Sequence, residues 1–359
     1  MKPYRFIMIG SGWRAMYYVR IAKALPQLFE LCAMYCRTKE KAELMRKEYG
    51  IPATSDQDLC LGMNPDFAVV AVSKKYMAET AASWSELGIP VLAETPAGLD
   101  EKSLNRLRLF AETGRRYAVA EQYCLYPGIS ALLKLIDRGI IGEPVSAYIS
   151  FAHEYHGASL IRRFLNVSSD MPFFITAQQW DLPVTETLTR YERVSDGHLV
   201  TRSRLTGAFA FENGKAALYD FDSEQYRSPI RGNVIRVEGT RGEIMNETVR
   251  WLDQNNEPCL ERLIGKRRHV RRDSDNPNFQ EIIEVEQIRW QDEIIYDAPY
   301  GLCGLSEDET AMAMMLEKMG KYARDEGPAP YPLKDAIRDA EMALSMRRAI
   351  NTGSRIRSL

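Results

Sequence analysis

One short stretch near the N-terminus constrains the fold more than any other, Phe6-Ile-Met-Ile-Gly-Ser-Gly-Trp-Arg-Ala15. The apolar run at 6–9 has the composition of a buried parallel strand, and Gly10-Ser11-Gly12 follows it at once. A helix-compatible stretch then runs from 13 to 25, where Pro26 stops it. Strand, glycine turn and helix in that order are what a dinucleotide pyrophosphate needs. Gly10 permits the tight turn, and Gly12 lets the backbone approach the phosphates. The helix start turns free N–H groups and a positive dipole end toward the anion. Ala15 stands at the third glycine position, still small enough for close helix–strand packing. An ordinary strand–turn–helix shares the pattern, because a lone match of this kind is weak. Its N-terminal place and the alternation downstream favour the cofactor reading.

That alternation is regular. Strand patterns at 29–36, 67–72, 90–93 and 117–121 interleave with helical spacing at 39–49, 78–87 and 101–113. This predicts a doubly wound parallel sheet of Rossmann type over residues 1–124, with ligands at the carboxyl ends of its strands. Beyond a helix at 129–138 the pattern changes. Apolar runs at 145–152, 199–205, 207–211, 216–220, 234–237 and 247–252 are separated by turn signals such as Glu212-Asn213-Gly214. Residues 125–359 therefore read as a second α/β domain with a large, mostly antiparallel open sheet, closed by helices at 307–324 and 333–350.

Composition excludes several classes. A net charge of −2 gives no general affinity for nucleic acid. No apolar run approaches the roughly 18–20 residues that span a bilayer, and the N-terminus leaves no room for a signal peptide. The six cysteines are scattered without a CxxC pair, so a reduced, cytoplasmic protein is expected. Lys266-Arg-Arg-His-Val-Arg-Arg272 is the one dense basic run; it reads as a solvated hairpin or loop flank, with an anion-binding patch as the sharper alternative.

Taken together, Gly10-Ser-Gly-Trp-Arg-Ala15, Glu94-Thr-Pro96, Arg138-Gly-Ile-Ile-Gly-Glu-Pro-Val145 and Val237-Glu-Gly-Thr-Arg-Gly-Glu-Ile244 resemble the Gfo/Idh/MocA oxidoreductase family, which includes glucose–fructose oxidoreductase and inositol dehydrogenase. The resemblance implies a Rossmann domain, a C-terminal domain whose open sheet forms a homodimer or homotetramer face, and substrate held between them. The family's Glu-Lys-Pro signature places a proton-transfer lysine beside the reacting carbon. Here Thr95 stands in its place. A second signature, roughly Asp-x-Gly-x-His-x-x-Asp, aligns with Tyr155 to Arg162, so that Ser159 replaces the histidine.

Both altered positions leave the acid/base to be found elsewhere. His156 and Tyr155 are the replacement candidates beside Thr95, since imidazole titrates near neutrality and a nearby cation such as Lys74 would lower a phenol's pKa. Cofactor-binding candidates are Gly10, Ser11, Gly12, Trp13, Arg14, Ser73, Lys74, Glu94, Pro96 and Gln122. Arg37 and Thr38 join them. With Cys36 where NAD-preferring chains carry an acid, Arg37 favours NADP over NAD. Substrate candidates are Tyr123, His153, Ser159, Arg162 and Arg163, with Tyr219, Tyr226 and Arg227 as further guesses. Read as an extended segment, 153–159 points its two histidines to opposite faces, so no metal site is expected.

These features predict an NAD(P)-dependent oxidoreductase acting on a small polar, sugar-like or cyclitol-like molecule. Two alternatives stay open: a cofactor-binding sensor or scaffold without redox activity, and a hydrolase or lyase that uses NAD transiently.

Overall fold

The computed structural model describes residues 2–189, 191–274 and 276–358. The chain forms two compact units, one from residues up to 122 with 303–340, the other from 123–302 with the segment from 341 onward. The first unit carries six parallel strands: β1 (Tyr4–Ile9), β2 (Phe29–Tyr35), β3 (Ala53–Thr54), β4 (Phe67–Val70), β5 (Val91–Ala93) and β6 (Tyr117–Val119). Their order is β3-β2-β1-β4-β5-β6, the doubly wound arrangement in which chain order reverses between β1 and β4. Helices α1 (Ala15–Ala24), α2 (Lys39–Tyr49), α3 (Gln57–Gly62), α4 (Lys74–Glu86) and α5 (Glu101–Ala111) make the crossovers. Strands β4, β5 and β6 are buried at every residue, as expected of a parallel sheet covered on both faces.

In the second unit the elements are α6 (Pro127–Asp137), β7 (Pro144–Ser150), α7 (Glu154–Leu165), β8 (Phe173–Thr185), β9 (Leu199–Phe211), β10 (Ala216–Asp222), β11 (Val234–Gly239), β12 (Gly242–Met245), β13 (Thr248–Leu252), β14 (Pro258–Arg262), β15 (Ile264–Arg271), α8 (Pro277–Gln280), β16 (Glu281–Trp290), β17 (Glu293–Asp297) and the terminal β18 (Ile356–Arg357). Nine of the strands form one sheet in the order β14-β13-β12-β11-β7-β10-β9-β8-β18. Only β7 and β10 pair in parallel. One face packs Ile149, Phe173, Ile175, Phe209 and Val237 against Leu132, Leu135, Leu160, Ile161 and Phe164 of α6 and α7 in a single apolar core. Trp180, Leu182 and Leu218 instead remain exposed.

Two details depart from the sequence reading and one sharpens it. Residues 199–211 are one strand, not two. Gly207 keeps its place in the ladder and makes room for Met346, whose sulfur would lie 3.1 Å from any Cβ there. The basic run lies on β15, the edge of the three-stranded sheet β15-β16-β17, where Lys266 pairs with Glu286 at 2.7 Å, Arg267 with Glu247 at 2.7 Å, and Arg268 with the buried Glu284. Edge charges of this kind discourage further strand pairing. Finally, residues 154–165 are helical rather than extended.

Two long helices close the chain, α9 (Glu307–Ala323) and α10 (Leu333–Thr352). The first returns to the Rossmann unit. Its Gly320 lies against the Tyr4 ring so closely that a Cβ would sit 2.3 Å from it, and Arg324, just beyond, reaches Asp66 at 2.8 Å.

Candidate functional site

The glycine turn has the backbone a phosphate group requires. Gly10 adopts φ +110°, and a Cβ there would lie 2.4 Å from the Ala71 carbonyl oxygen, so only glycine fits. Gly12 has nothing within 4 Å of an added Cβ, which leaves its backbone open. Arg14 is the N-cap of α1 but makes no side-chain cap, so no side chain of its own occupies the helix end. Open glycine, uncovered helix start and β1 terminus together fit a dinucleotide pyrophosphate. Ser73 caps α4 equally without a side-chain bond, and Lys74 begins that helix. At the end of β2, buried Cys36 precedes exposed Arg37, which has no ion pair among the described residues. Thr38 caps α2, its hydroxyl oxygen accepting the Lys41 N–H at 3.2 Å.

Behind the turn sits a cluster of paired charges. Arg14 donates to Glu94 at 2.8 Å and to Asp308 at 2.8 Å. Tyr18 donates to Glu94 at 2.6 Å, and Gln122 donates to Asp308 at 2.9 Å while its own amide oxygen is buried without a partner. Burial works against the Arg14 charge, but Asp308 and Glu94 outweigh it and raise its pKa well above the ordinary value. Burial and Glu94 likewise hold the Tyr18 phenol protonated. Glu94 is therefore an anchor for the turn, and Thr95 and Pro96 follow directly on from it.

In the second unit the structure gathers a set of titratable rings. The His153 imidazole bridges two phenols, with Nε2 at 2.8 Å from the Tyr155 hydroxyl and Nδ1 hydrogen-bonded to the Tyr226 hydroxyl. The backbone N–H of His153 also donates to Tyr226 at 2.9 Å, and the Tyr226 hydroxyl lies 3.4 Å from that of Tyr123. His156 packs its ring against Tyr123 at 4.4 Å, Tyr155 at 4.5 Å and His153 at 4.8 Å. The two histidines are thus neighbours, because α7 begins between them. Among the described residues, no group of three or more His, Cys, Asp or Glu side chains is arranged to hold a metal ion.

Local backbone chemistry aims these rings. Glu154, between His153 and Tyr155, takes φ +35°, a left-handed conformation costly for a side-chain-bearing residue. Its N–H donates to Tyr219 at 2.7 Å and its carboxylate is gripped by both arms of Arg347, one at 2.9 Å. Tyr219 can come so close only because residue 157 is glycine, where a Cβ would meet its ring at 2.4 Å. Beside them opens a cavity of about 530 Å³, bordered by His153, Gln179, Thr201, Ser203, Arg347 and Asn351 among others.

Of the remaining candidates, Ser159 is fully enclosed and donates to the His156 carbonyl at 2.8 Å. Arg162 is buried with a bond to the Val167 carbonyl at 3.3 Å, whereas Arg163 faces outward. Tyr226, one of the further guesses, emerges as a partner of His153; Asp308 and Tyr18, partners in the Arg14 cluster, were not singled out by sequence reasoning. Nothing near Asp308 in the sequence, beyond the helix-starting Ser306–Glu309 box, pointed to it.

The parallel sheet with its open glycine turn defines a dinucleotide-binding Rossmann protein with an open-sheet second unit. Residues 4–121 match the Gfo/Idh/MocA model, the oxidoreductase family with an NAD-binding Rossmann fold. No curated protein sequence matches the chain. Among solved structures, an oxidoreductase from Agrobacterium radiobacter, in complex with NAD+, L-tartaric acid and magnesium, is similar at 14% identity and TM-score 0.66, over 98% of each chain. An NAD-binding oxidoreductase from Klebsiella pneumoniae is similar at 16% identity and TM-score 0.67, over 99% of each. The myo-inositol 2-dehydrogenase of Lactobacillus plantarum is similar at 14% identity and TM-score 0.65, over 100% of each. At such identities the likeness establishes the fold. No helix among the described residues is long and apolar enough to cross a membrane.

Proposed function

We propose that this protein is an NAD(P)-dependent oxidoreductase that moves a hydride between the nicotinamide and a small polar substrate of sugar-like or cyclitol-like character. The observation that carries this reading is the open glycine turn at an uncovered helix start, within a unit that matches an NAD-binding oxidoreductase family. The dinucleotide, when bound, supplies or accepts the hydride. Gly10, Ser11, Gly12 and the start of α1 hold its pyrophosphate. Arg37 and Thr38 favour the 2′-phosphate of NADP, because Arg37 has no ion-paired carboxylate among the described residues and Cys36 stands where an acid would repel that phosphate.

The chain's own contribution is a proton. Thr95 does not titrate near neutrality, so the acid/base role falls to Tyr155, whose hydroxyl is hydrogen-bonded to the His153 imidazole. His156 shapes the ring cluster by packing. The polar cavity beside His153 suits a hydroxylated substrate more than an apolar one. The exposed apolar residues on the open sheet face support self-association, which light scattering on the purified protein reads directly.

Titration of the purified protein with NADPH and NADH, followed by a polyol and ketose panel, tests the reading. Tighter NADPH binding, with Arg37→Ala narrowing the gap by about tenfold or more, is expected. Tyr155→Phe is expected to lower turnover by about 10²- to 10⁴-fold with little change in cofactor affinity. A protein that binds neither dinucleotide overturns the proposal. Cofactor binding without hydride exchange on any substrate that binds assigns it the sensor role instead.

A further inference from the structure

We propose that His153 and Tyr226 form a two-sided proton relay that reloads Tyr155 from solvent. The inference rests on the oxidoreductase reading and extends it from the group that meets the substrate to the route by which its proton is replaced.

Three observations carry it. First, His153 occupies the N-cap position of α7 yet makes no side-chain cap. Both ring nitrogens are given to phenols instead, Nε2 to Tyr155 and Nδ1 to Tyr226. Second, a neutral imidazole donates from one nitrogen and accepts at the other, so the two phenols must play opposite roles. The Tyr226 oxygen accepts from the His153 N–H and from the Tyr123 hydroxyl, which fills both its lone pairs and directs its own proton at Nδ1, with the imidazole proton on Nε2, facing Tyr155. Third, burial is graded along the chain. Tyr155 is 8% exposed and Tyr226 is 37% exposed, so the relay begins at an enclosed phenol and ends at one that meets water. Strained Glu154, fixed by Tyr219 and Arg347, sets the relative aim of His153 and Tyr155.

The proton balance closes. In the reducing direction the hydride's electron pair forms the new C–H bond, and the carbonyl oxygen takes the Tyr155 hydroxyl proton. Tyr155 oxygen takes the proton from Nε2 of His153, and Nδ1 takes one from Tyr226. Tyr226 recovers its proton from water, directly or by way of Tyr123. One proton enters and one leaves, and the imidazole ends as its other tautomer. Rotation of the phenol protons or a second passage resets it. Oxidation runs the same transfers backward.

Groups that meet His153 include Tyr155 and His156 of α7 and Tyr226 from the turn Ser223–Tyr226, while Glu154 and its partner Arg347 of α10 border the same cavity. Arg202 of β9 borders the same cavity but is tied to Glu186 and Glu224.

The test is chemical rescue in the full-length protein. His153→Ala is expected to lose about 10²-fold or more in turnover while cofactor affinity stays within about twofold. Because His153 borders the cavity, added imidazole can enter the vacated space and restore turnover. N-methylimidazole, with only one exchangeable ring position, should not. Tyr226→Phe should lower turnover at least several-fold and flatten the pH profile. Equal rescue by both bases would make His153 a simple base and overturn the relay, and so would no loss in His153→Ala. An independent readout is the ¹⁵N spectrum of the His153 ring in the cofactor-free protein. Tyr226→Phe and Tyr155→Phe should shift its tautomer ratio in opposite directions. An unchanged spectrum in both overturns the relay even if no substrate is ever turned over, whereas absent turnover alone counts against the oxidoreductase reading.

Discussion

The two regions that carry chemistry are built on opposite principles. In the Rossmann unit, the cluster behind the glycine turn is built on paired charges, Arg14 with Glu94 and Asp308, with Gln122 as a neutral donor to Asp308. In the second unit the cluster consists of phenols and an imidazole joined in series by hydrogen bonds, with His156 packed against them. Paired permanent charges hold a geometry; they have no reason to exchange protons near neutral pH. Neutral hydroxyls and imidazoles both donate and accept, so a chain of them can pass a proton on. A binding loop and the proposed proton-transfer cluster therefore ask for different side chains, and the molecule keeps them apart along the sequence.

The comparison can be broken most severely at Gly10. Gly10→Val forces a Cβ against the Ala71 carbonyl at a φ that L-residues avoid, and should cost about 3 kcal/mol or more along with measurable dinucleotide binding. Denaturant titration and fluorescence read the two losses. Arg14→Met removes the cation between two carboxylates, leaving each only a neutral donor, and should destabilise the protein by about 2–3 kcal/mol in the same titration, with Asp308→Asn milder. Gly157→Ala pushes on Tyr219 and is expected to cost about 1–3 kcal/mol and to lower turnover while dinucleotide affinity holds. Gly12→Ala sharpens the contrast from the other side. Its new methyl group meets no protein atom, so stability should stay within about 0.5 kcal/mol, and any fall in cofactor affinity reports the ligand itself.

The smallest effect belongs to a pH titration away from both sites. A hydrogen bond donated to the Asp196 carboxylate, with Glu186 beyond, raises the pKa of His198 above its ordinary 6.5. A folded-state pKa above the unfolded one adds stability that is complete below the unfolded value and disappears as pH rises through the folded value. Amide exchange around 186–198, corrected for intrinsic rates, should therefore quicken slightly as pH climbs from 6 past neutrality, and His198→Gln should abolish the change.

The Rossmann unit was legible because its signals are local. The 6–15 stretch contains its strand, its turn and its helix start within one short window, and the later strands alternate with helices at regular spacing. What escaped reading depended on partners far away in sequence. Residue spacing at 153–159 suggested an extended segment, yet a positive-φ Glu154, stabilised by Tyr219 and Arg347, starts a helix there and turns the two histidines together. Strand β15 hid behind its charges, which are answered by acids on β16 and at Glu247. The pairing of Tyr226 with His153 across 73 positions leaves no trace in either neighbourhood.

The return of α9 has a consequence for how the protein is made. Arg14 and Asp308 are 294 residues apart, so on a ribosome adding about 5–20 residues per second the partner of Arg14 is synthesised roughly 15–60 s after Arg14 itself. Throughout that interval the nascent Rossmann strands exist without the helix that covers Tyr4, and Asp66 waits for Arg324. The nucleotide-binding unit is the first to emerge, yet it stays incomplete until residues 303–340 have followed the whole of 123–302. Its exposed flank during synthesis is a natural docking point for a chaperone, and nascent chains stalled before α9 is made should be far more protease-sensitive near Tyr4 than the released protein.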